Sequence, residues 1–267
     1  MTQDPDAPGL AAALLEAYDS GRLLAPLSGR INGFDALTAA RVAHEITARR
    51  IARGERMVGR KIGFTNRSIW PIYGVTGPIW GPVWNTTLHD LSDAPVPLPN
   101  LPEPRLEPEI IFGLKSAPSA GMTPQDLAQC IDWVSHGFEI VFSPFPGWKF
   151  TAPDCQAGFG LHGALFVGPR LPLTPDRAAA LPDLSITLHG PEGKHLTGRG
   201  SDVLDGPLHA LAHLLDTLAA DPQATPLGAG EIVTTGTLTD AVPLSPGDTW
   251  ETRLDGIDLP GAKITLR

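Results

Sequence analysis

Two glutamates occupy alternate positions just before an apolar run in the stretch PRLEPEIIFGL, residues 104 to 114. Pro108 between them resists a helix interior, so the run that starts at Ile110 is predicted to be a strand entered through an extended segment. Residues two apart in an extended chain project to one face, so Glu107 and Glu109 would share one space. Like charges that close must share a proton or a cation. The alternative is a solvated strand edge, where acids discourage unwanted pairing.

A third acid, Glu139, lies inside the apolar run HGFEIVFS. An unpaired carboxylate in such a place costs free energy, so Glu139 is predicted to have a partner. His209 and His213 have the i, i+4 spacing that can bind a metal, but the glutamate of an HExxH motif is missing. Packing or solvent exposure is therefore the favoured interpretation of this histidine pair.

Composition and missing motifs exclude several classes of protein. The 267 residues are 42% hydrophobic and carry a formal net charge of -9 without a basic block, which argues against nucleic acid and anionic membranes as partners. Neither a P-loop nor a GxSxG elbow is present, and no glycines have the GxGxxG setting. The start is acidic and no apolar stretch is long enough to span a bilayer, so we expect a cytoplasmic protein. Cys130 and Cys155 are not arranged as CxxC, which predicts free, partly buried thiols.

The spacing of apolar residues predicts the helices and strands that must position the three glutamates. Apolar residues recur at helical spacing from Leu10 to Tyr18 and from Phe34 to Arg53. Beyond Arg60, most of the 29 glycines and 28 prolines separate short apolar runs that are typical of strands. Two further helices are predicted in this part, TPQDLAQCIDWVSHG with Thr123 as its N-cap and DGPLHALAHLLDTLAA. The pattern predicts an α+β protein, with a helical N-terminal region over 1–75 and a mixed, barrel-like β domain over 76–267.

Four blocks of the sequence carry a family resemblance: GRKIGFT, RLEPEIIF, GFEIVFSPFPGWKF and GEIVTTGTLTDAVPLSPGDTWETRL. In this order they resemble the 2-keto-4-pentenoate hydratase and 4-oxalocrotonate decarboxylase family, within the fumarylacetoacetate hydrolase superfamily. The resemblance implies that superfamily's type of β domain, a homo-oligomer and a small 2-oxo acid as substrate. It also implies that Glu107, Glu109 and Glu139 hold one divalent cation, Mg²⁺ or Mn²⁺, as suits hard carboxylate oxygens.

The same resemblance implies roles for other side chains. Lys61 matches a lysine beside the substrate and is the expected catalytic residue, with a pKa lowered by burial and the cation so that it can transfer protons; the alternative is a surface lysine at the start of a strand. Should Lys61 not move the proton, metal-bound water or His162 would be the next candidates. The residues expected to contact substrate are Gly63, Phe64, Thr65, Ile79, Trp80, Trp148, Lys149 and Thr237.

Two departures from the family bear on the reaction. Ile79 and Trp80 stand where many hydratases carry an acid, and FSPFPGW replaces a segment that often holds Asp and Arg after the third glutamate. We therefore expect a substrate that is bulkier or more apolar than the small dienoates. A metal-dependent hydratase of 2-oxo-alkenoates is the first hypothesis. The alternatives, in order, are a 2-oxo-enedioate decarboxylase, a hydrolase of the C–C bond of an acylpyruvate, and a non-catalytic paralogue.

Overall fold

The structure is a computed structural model and describes residues 6 to 267. Its α-helices are α1 Ala7–Ser20, α2 Ala36–Ala52, α3 Trp70–Tyr73, α4 Pro124–Gln129, α5 Ala152–Ala157, α6 Pro175–Ala180 and α7 Pro207–Ala220. Its strands are β1 Met57–Gly63, β2 Ile79–Trp84, β3 Leu88–Asp90, β4 Arg105–Leu114, β5 Ile131–Val141, β6 His162–Val167, β7 Leu171–Pro172, β8 Ser185–His189, β9 His195–Arg199, β10 Ile232–Thr237, β11 Val242–Pro243, β12 Thr249–Asp255 and β13 Lys263–Thr265.

Nine strands form one mixed sheet, and four form a second sheet. The main sheet has the order β2-β1-β10-β4-β5-β6-β3, with β11 added beside β4 and β7 beside β5. The pairs β1–β10 and β3–β6 are parallel, while β4 is antiparallel to both β5 and β10. The second sheet has the order β13-β12-β8-β9. The α+β prediction is therefore confirmed, and the long central strands β4 and β5 come to lie side by side.

Apolar side chains of three helices pack against the main sheet and against the chain that follows β5. Helices α1 and α2 pack through Leu14, Val42 and neighbouring residues against Phe142 and Phe145, which follow β5. Helix α7 packs Leu211 and other leucines against β4 and β10. Helix α7 and the second sheet both pack against β4 and β5, which is why these strands can carry long apolar runs. Strand β1, on the N-terminal side of the boundary expected near residue 75, pairs with β2 and β10 in the main sheet, and the boundary itself stays a prediction.

One predicted helix is wrong over most of its length. Thr123 does cap a helix, and its hydroxyl and Asp126 form a capping box. That helix, α4, ends at Gln129, and the rest of the stretch expected to be helical belongs to β5. Pairing along the whole length of β4 supplies β5 with backbone hydrogen bonds, and this tertiary pairing outweighs the helical spacing of the apolar residues. The acid Glu139 lies near the C-terminal end of this strand.

Two further observations concern the cysteines and the length of the helices. Cys130 and Cys155 are both free and buried. Among residues 6 to 267, none of the helices has the length and apolar character needed to cross a membrane.

Candidate metal centre and active site

Three glutamates meet where β4 and β5 run side by side. Glu107 and Glu109 lie on the same face of β4, and Glu139 on β5 is the register partner of Glu107. The partner of Glu109 is Gly137, at which a Cβ would lie 2.1 Å from the carbonyl oxygen of Phe166. One carboxylate oxygen from each glutamate lies within 4.8 Å of the others. Within residues 6 to 267 this is the only group of three or more His, Cys, Asp or Glu residues with the spacing to hold a metal ion.

The two fully buried carboxylates each have one oxygen held by the protein and one left over. Glu109 Oε2 accepts hydrogen bonds from the Thr234 hydroxyl and from the Gly236 N–H, the latter at 2.8 Å. Glu139 Oε1 accepts from Nδ1 of His162 at 2.7 Å. Glu109 Oε1 and Glu139 Oε2 are buried and have no hydrogen-bond partner among the described residues. Buried carboxylate oxygens of this kind are costly unless they face a cation, so the site fits a divalent metal ion.

Lys61 supplies one positive charge to this cluster. It lies on β1 opposite Thr234 of β10, is 3% exposed, and places Nζ 3.4 Å from Glu139 Oε2. Burial lowers the pKa of Lys61, but the negative charge of the three glutamates outweighs burial and raises its pKa. The lowering of the Lys61 pKa is expected for the site with its cation bound and stays a prediction, whereas without the cation the carboxylates stabilise the ammonium. The alternative of a surface lysine is excluded by its burial.

The carboxyl pKa values reflect the same crowding. Burial, together with the charge of Glu139, raises the pKa of Glu107 to about 7 although Lys61 opposes the shift. Burial and the charges of Glu139 and Glu107 hold the pKa of Glu109 well above its usual range. Burial also acts to raise the pKa of Glu139, but Lys61 and the hydrogen bond from His162 outweigh it and lower that pKa. The single positive charge of Lys61 does not neutralise three carboxylates, whereas the charges of Lys61 and a divalent ion together do.

A cavity of about 260 Å³ opens beside Glu107. Lys61 and Glu107 lie in its wall, and so do six of the residues predicted to contact substrate, Gly63, Phe64, Thr65, Ile79, Trp148 and Thr237. Lys149 is not part of this wall, and Trp80 lines a separate cavity of about 180 Å³ together with residues of α2. The Thr237 hydroxyl donates to the carbonyl of Thr239 at 2.7 Å, so this side chain shapes the loop that borders the cavity.

Sequence reasoning missed Tyr73, Phe150 and Arg105, which also line this wall. The ring of Tyr73 stacks between Phe64 and Phe150, with centroid distances of 4.9 Å and 5.2 Å. The Arg105 guanidinium lies over the ring of Trp148 at 4.1 Å. Arg105 alternates with Glu107 along β4, so the two-residue spacing that identified the acids is a signal that could have found it. No local signal marks Tyr73, which reaches the cavity from the short helix α3, and this helix is distant in sequence from the three glutamates.

Comparison with known proteins agrees with the geometry. The chain is 32% identical over 256 residues to the 2-hydroxyhexa-2,4-dienoate hydratase of Comamonas testosteroni, an alignment that covers 94% of this chain and 95% of that protein. It is 32% identical over 267 residues to the 2-keto-4-pentenoate hydratase of Burkholderia vietnamiensis, with 99% and 100% covered. The chain belongs to the 2-keto-4-pentenoate hydratase and 4-oxalocrotonate decarboxylase family. No protein-family model matches it.

A solved structure from the decarboxylase branch of the family has the same fold. The 4-oxalocrotonate decarboxylase from Pseudomonas putida G7, complexed with magnesium and adipate, superposes with a TM-score of 0.88 at 25% sequence identity. The match covers 98% of this chain and 97% of that chain. The resemblance inferred from the four sequence blocks is thus confirmed, and so is the fumarylacetoacetate hydrolase type of fold.

Proposed function

We propose that this protein is a divalent-metal-dependent hydratase of 2-oxo- or 2-hydroxy-alkenoates of the 2-keto-4-pentenoate type. The observation that carries the proposal is the cluster of three glutamates, in which Glu109 Oε1 and Glu139 Oε2 are buried and accept no hydrogen bond from a described residue, next to the cavity lined by Lys61 and Glu107. Hydratases of this type among its relatives support the choice of reaction. The glutamates would hold Mg²⁺ or Mn²⁺, since hard oxygen ligands suit both ions.

The chemistry divides between the ion and the chain. When bound, the ion supplies Lewis-acid stabilisation of negative charge on the 2-oxo acid head of the substrate. Lys61 Nζ, an ammonium held against Glu139, donates a proton to the far end of the conjugated chain, and the resulting amine takes the proton of the substrate 2-hydroxyl. Water then adds to the resulting 2-oxo-3-enoate at C4 and leaves its second proton at C3. The stacked rings of Phe64, Tyr73 and Phe150 offer a flat apolar wall for the chain of the substrate.

A second candidate function is favoured by one observation on the wall. Ile79 is apolar where many hydratases carry an acid, while Arg105 lies over Trp148 and forms no salt bridge with a carboxylate of residues 6 to 267. The charge of Arg105 lowers the pKa of Glu107, but no described carboxylate pairs with its guanidinium directly, so the guanidinium suits the second carboxylate of a 2-oxo-enedioate. Decarboxylation of such a substrate needs the same electron sink and no activated water.

One assay separates these functions. The purified protein is incubated with Mg²⁺ or Mn²⁺ and a panel of 2-hydroxydienoates, 2-oxo-enedioates and acylpyruvates, with a chelator as the matched control, and products are identified by mass spectrometry. Gain of one water from a 2-hydroxydienoate, abolished by the chelator, is the expected result. Loss of carbon dioxide would assign the decarboxylase, and release of pyruvate the C–C hydrolase. No conversion of any member would overturn catalysis and leave the non-catalytic paralogue.

Assembly and location complete the proposal. We propose a homo-oligomer in the cytoplasm that acts on a small molecule and binds neither nucleic acid nor membrane. The resemblance to the family supports the homo-oligomer, and two free cysteines support a reducing compartment. Light scattering that gives the mass of one 28.3 kDa chain would refute the oligomer.

A further inference from the structure

His162 connects Glu139, one of the proposed metal ligands, to the hydroxyl of Thr87. It is the first residue of β6, is 1% exposed, and uses both ring nitrogens. Nδ1 lies 2.7 Å from Glu139 Oε1, and Nε2 lies 2.8 Å from the Thr87 hydroxyl. The imidazole is therefore fixed between one of the three glutamates and the turn that precedes β3.

The direction of these hydrogen bonds follows from their partners. An ionised carboxylate only accepts, so Nδ1 carries the proton and donates to Glu139. In the neutral ring Nε2 then accepts from Thr87, whose hydroxyl lies closer to Nε2 than to the carbonyl oxygen of Trp84 at 3.2 Å. The Trp84 N–H donates to the same hydroxyl at 3.1 Å, which fixes its position. This chain of bonds sets the rotation of the Glu139 carboxylate, with Oε1 turned to His162 and Oε2 to the cluster.

Glu109 is held in a comparable way by other groups. The Thr234 hydroxyl and the Gly236 N–H both donate to Oε2 and leave Oε1 as the free oxygen. Each of the two fully buried glutamates thus offers one oxygen to a cation. Ca²⁺ takes six to eight oxygens and often two from one carboxylate, whereas the smaller Mg²⁺ takes fewer ligands and keeps several waters.

We propose that His162 is a positioning residue that keeps Glu139 a one-oxygen ligand and thereby favours Mg²⁺ or Mn²⁺ over Ca²⁺. The inference rests on the metal site of the proposed function. Without the N–H at this position, Glu139 Oε1 is free to turn toward the ion as a second ligand atom. That change lowers the affinity for the smaller ions Mg²⁺ and Mn²⁺. It lowers the affinity for Ca²⁺ less, or raises it.

The experiment measures metal binding directly. Isothermal titration of chelator-treated, dialysed protein with Mg²⁺, Mn²⁺ and Ca²⁺ is compared for wild type, His162→Leu and His162→Asn. Leucine removes the donor, whereas the asparagine Nδ2 can present an N–H near the position of Nδ1. Leu188→Ala, a buried change in the second sheet, is the control for general destabilisation. Thr87→Val, which removes the bond to Nε2 and the bond from the Trp84 N–H but leaves the bond from Nδ1 to Glu139, is the second test variant if His162→Leu does not fold.

The expected result is a change in the ratio of affinities. His162→Leu should lose about 10- to 100-fold in Mg²⁺ affinity, the usual cost of removing a residue that orients a ligand. Its Ca²⁺ affinity should fall much less, asparagine should restore most of the ratio, and Thr87→Val should shift it in the same direction by a smaller amount. Equal losses for both ions, without rescue by asparagine, or an unchanged ratio would overturn the inference. Wild-type protein that binds none of the three ions would overturn the proposed metal site itself.

Discussion

Glu107 and Glu139 are register partners, directly opposite each other on the antiparallel strands β4 and β5. Side chains of such partners project to the same face of the sheet and approach closely. Two acids would destabilise this pairing in water. Here they join Glu109 and Lys61 in a buried cluster, so the pairing of β4 with β5 builds the candidate metal site and a shift of one residue would abolish it.

The first prediction concerns the metal ligands. Glu107→Gln should lower Mg²⁺ affinity by at least about tenfold, because loss of a direct ligand costs no less than loss of a residue that orients one. The triple Glu→Gln variant of residues 107, 109 and 139 should bind no ion. Isothermal titration checks both variants. Stoichiometric binding by the triple variant would place the ion elsewhere.

The second prediction concerns Lys61. Lys61→Met should lower turnover by about 10² to 10⁴, the usual worth of general acid–base help. Mg²⁺ affinity should stay the same or rise, since the variant removes a positive charge 3.4 Å from Glu139 Oε2. Steady-state kinetics and metal titration are compared with Lys263→Met, an exposed lysine on β13. Loss of metal binding in Lys61→Met would show that this lysine holds the site together instead of transferring protons.

The third prediction concerns Gly236, whose N–H donates to Glu109. Its φ of +106° favours glycine, and a Cβ would lie 2.1 Å from the Thr65 hydroxyl oxygen. Gly236→Ala should cost about 1 to 3 kcal/mol of unfolding free energy from backbone strain and more from this clash, and it should weaken metal binding. Gly247→Ala is the matched control, because it has a φ of +91° with open space around the Cβ. Equal losses in denaturant unfolding would show that the contact with Thr65 is unimportant.

The fourth prediction concerns acid stability through His136. Its Nδ1 donates to the carbonyl of Glu109 at 2.9 Å, and Nε2 lies 2.8 Å from the Thr252 hydroxyl. Burial lowers its pKa from 6.5 to about 4, against the opposing effect of the bond to Glu109. The unfolded chain therefore binds a proton that the folded one excludes, so this group favours unfolding as the pH falls from about 6.5 toward about 4.

The loss of folding stability at low pH is measured against a variant that lacks His136. Relative to His136→Gln, the wild type should lose up to about 3 kcal/mol of unfolding free energy over this pH range. Both proteins are unfolded by denaturant in the presence of a chelator, so that metal release does not contribute to the difference. Parallel pH curves for the two proteins would show that His136 does not carry this dependence.

Much of the fold and the identity of the acids are readable from the linear order of residues. The alternation of Glu107 and Glu109 is a local property of an extended chain, and Pro108 between them excludes a helix. The helices α1, α2 and α7 follow from apolar residues at helical spacing, which is also local. The same kind of local signal was wrong for the segment after Gln129, where pairing with β4 makes a strand of residues with helical spacing.

Tertiary structure decides what depends on distant partners. The register of β4 and β5 brings Glu139 to Glu107, and β10 and β6 bring Thr234, Gly236 and His162 to the oxygens of the glutamates. Without the cation the Lys61 pKa is raised, because it depends on the sum of burial and three carboxylate charges, and no single segment contains that sum. The chain thus specifies which groups are available, whereas strand pairing and burial set their distances, and electrostatic and hydrogen-bond energies depend on those distances.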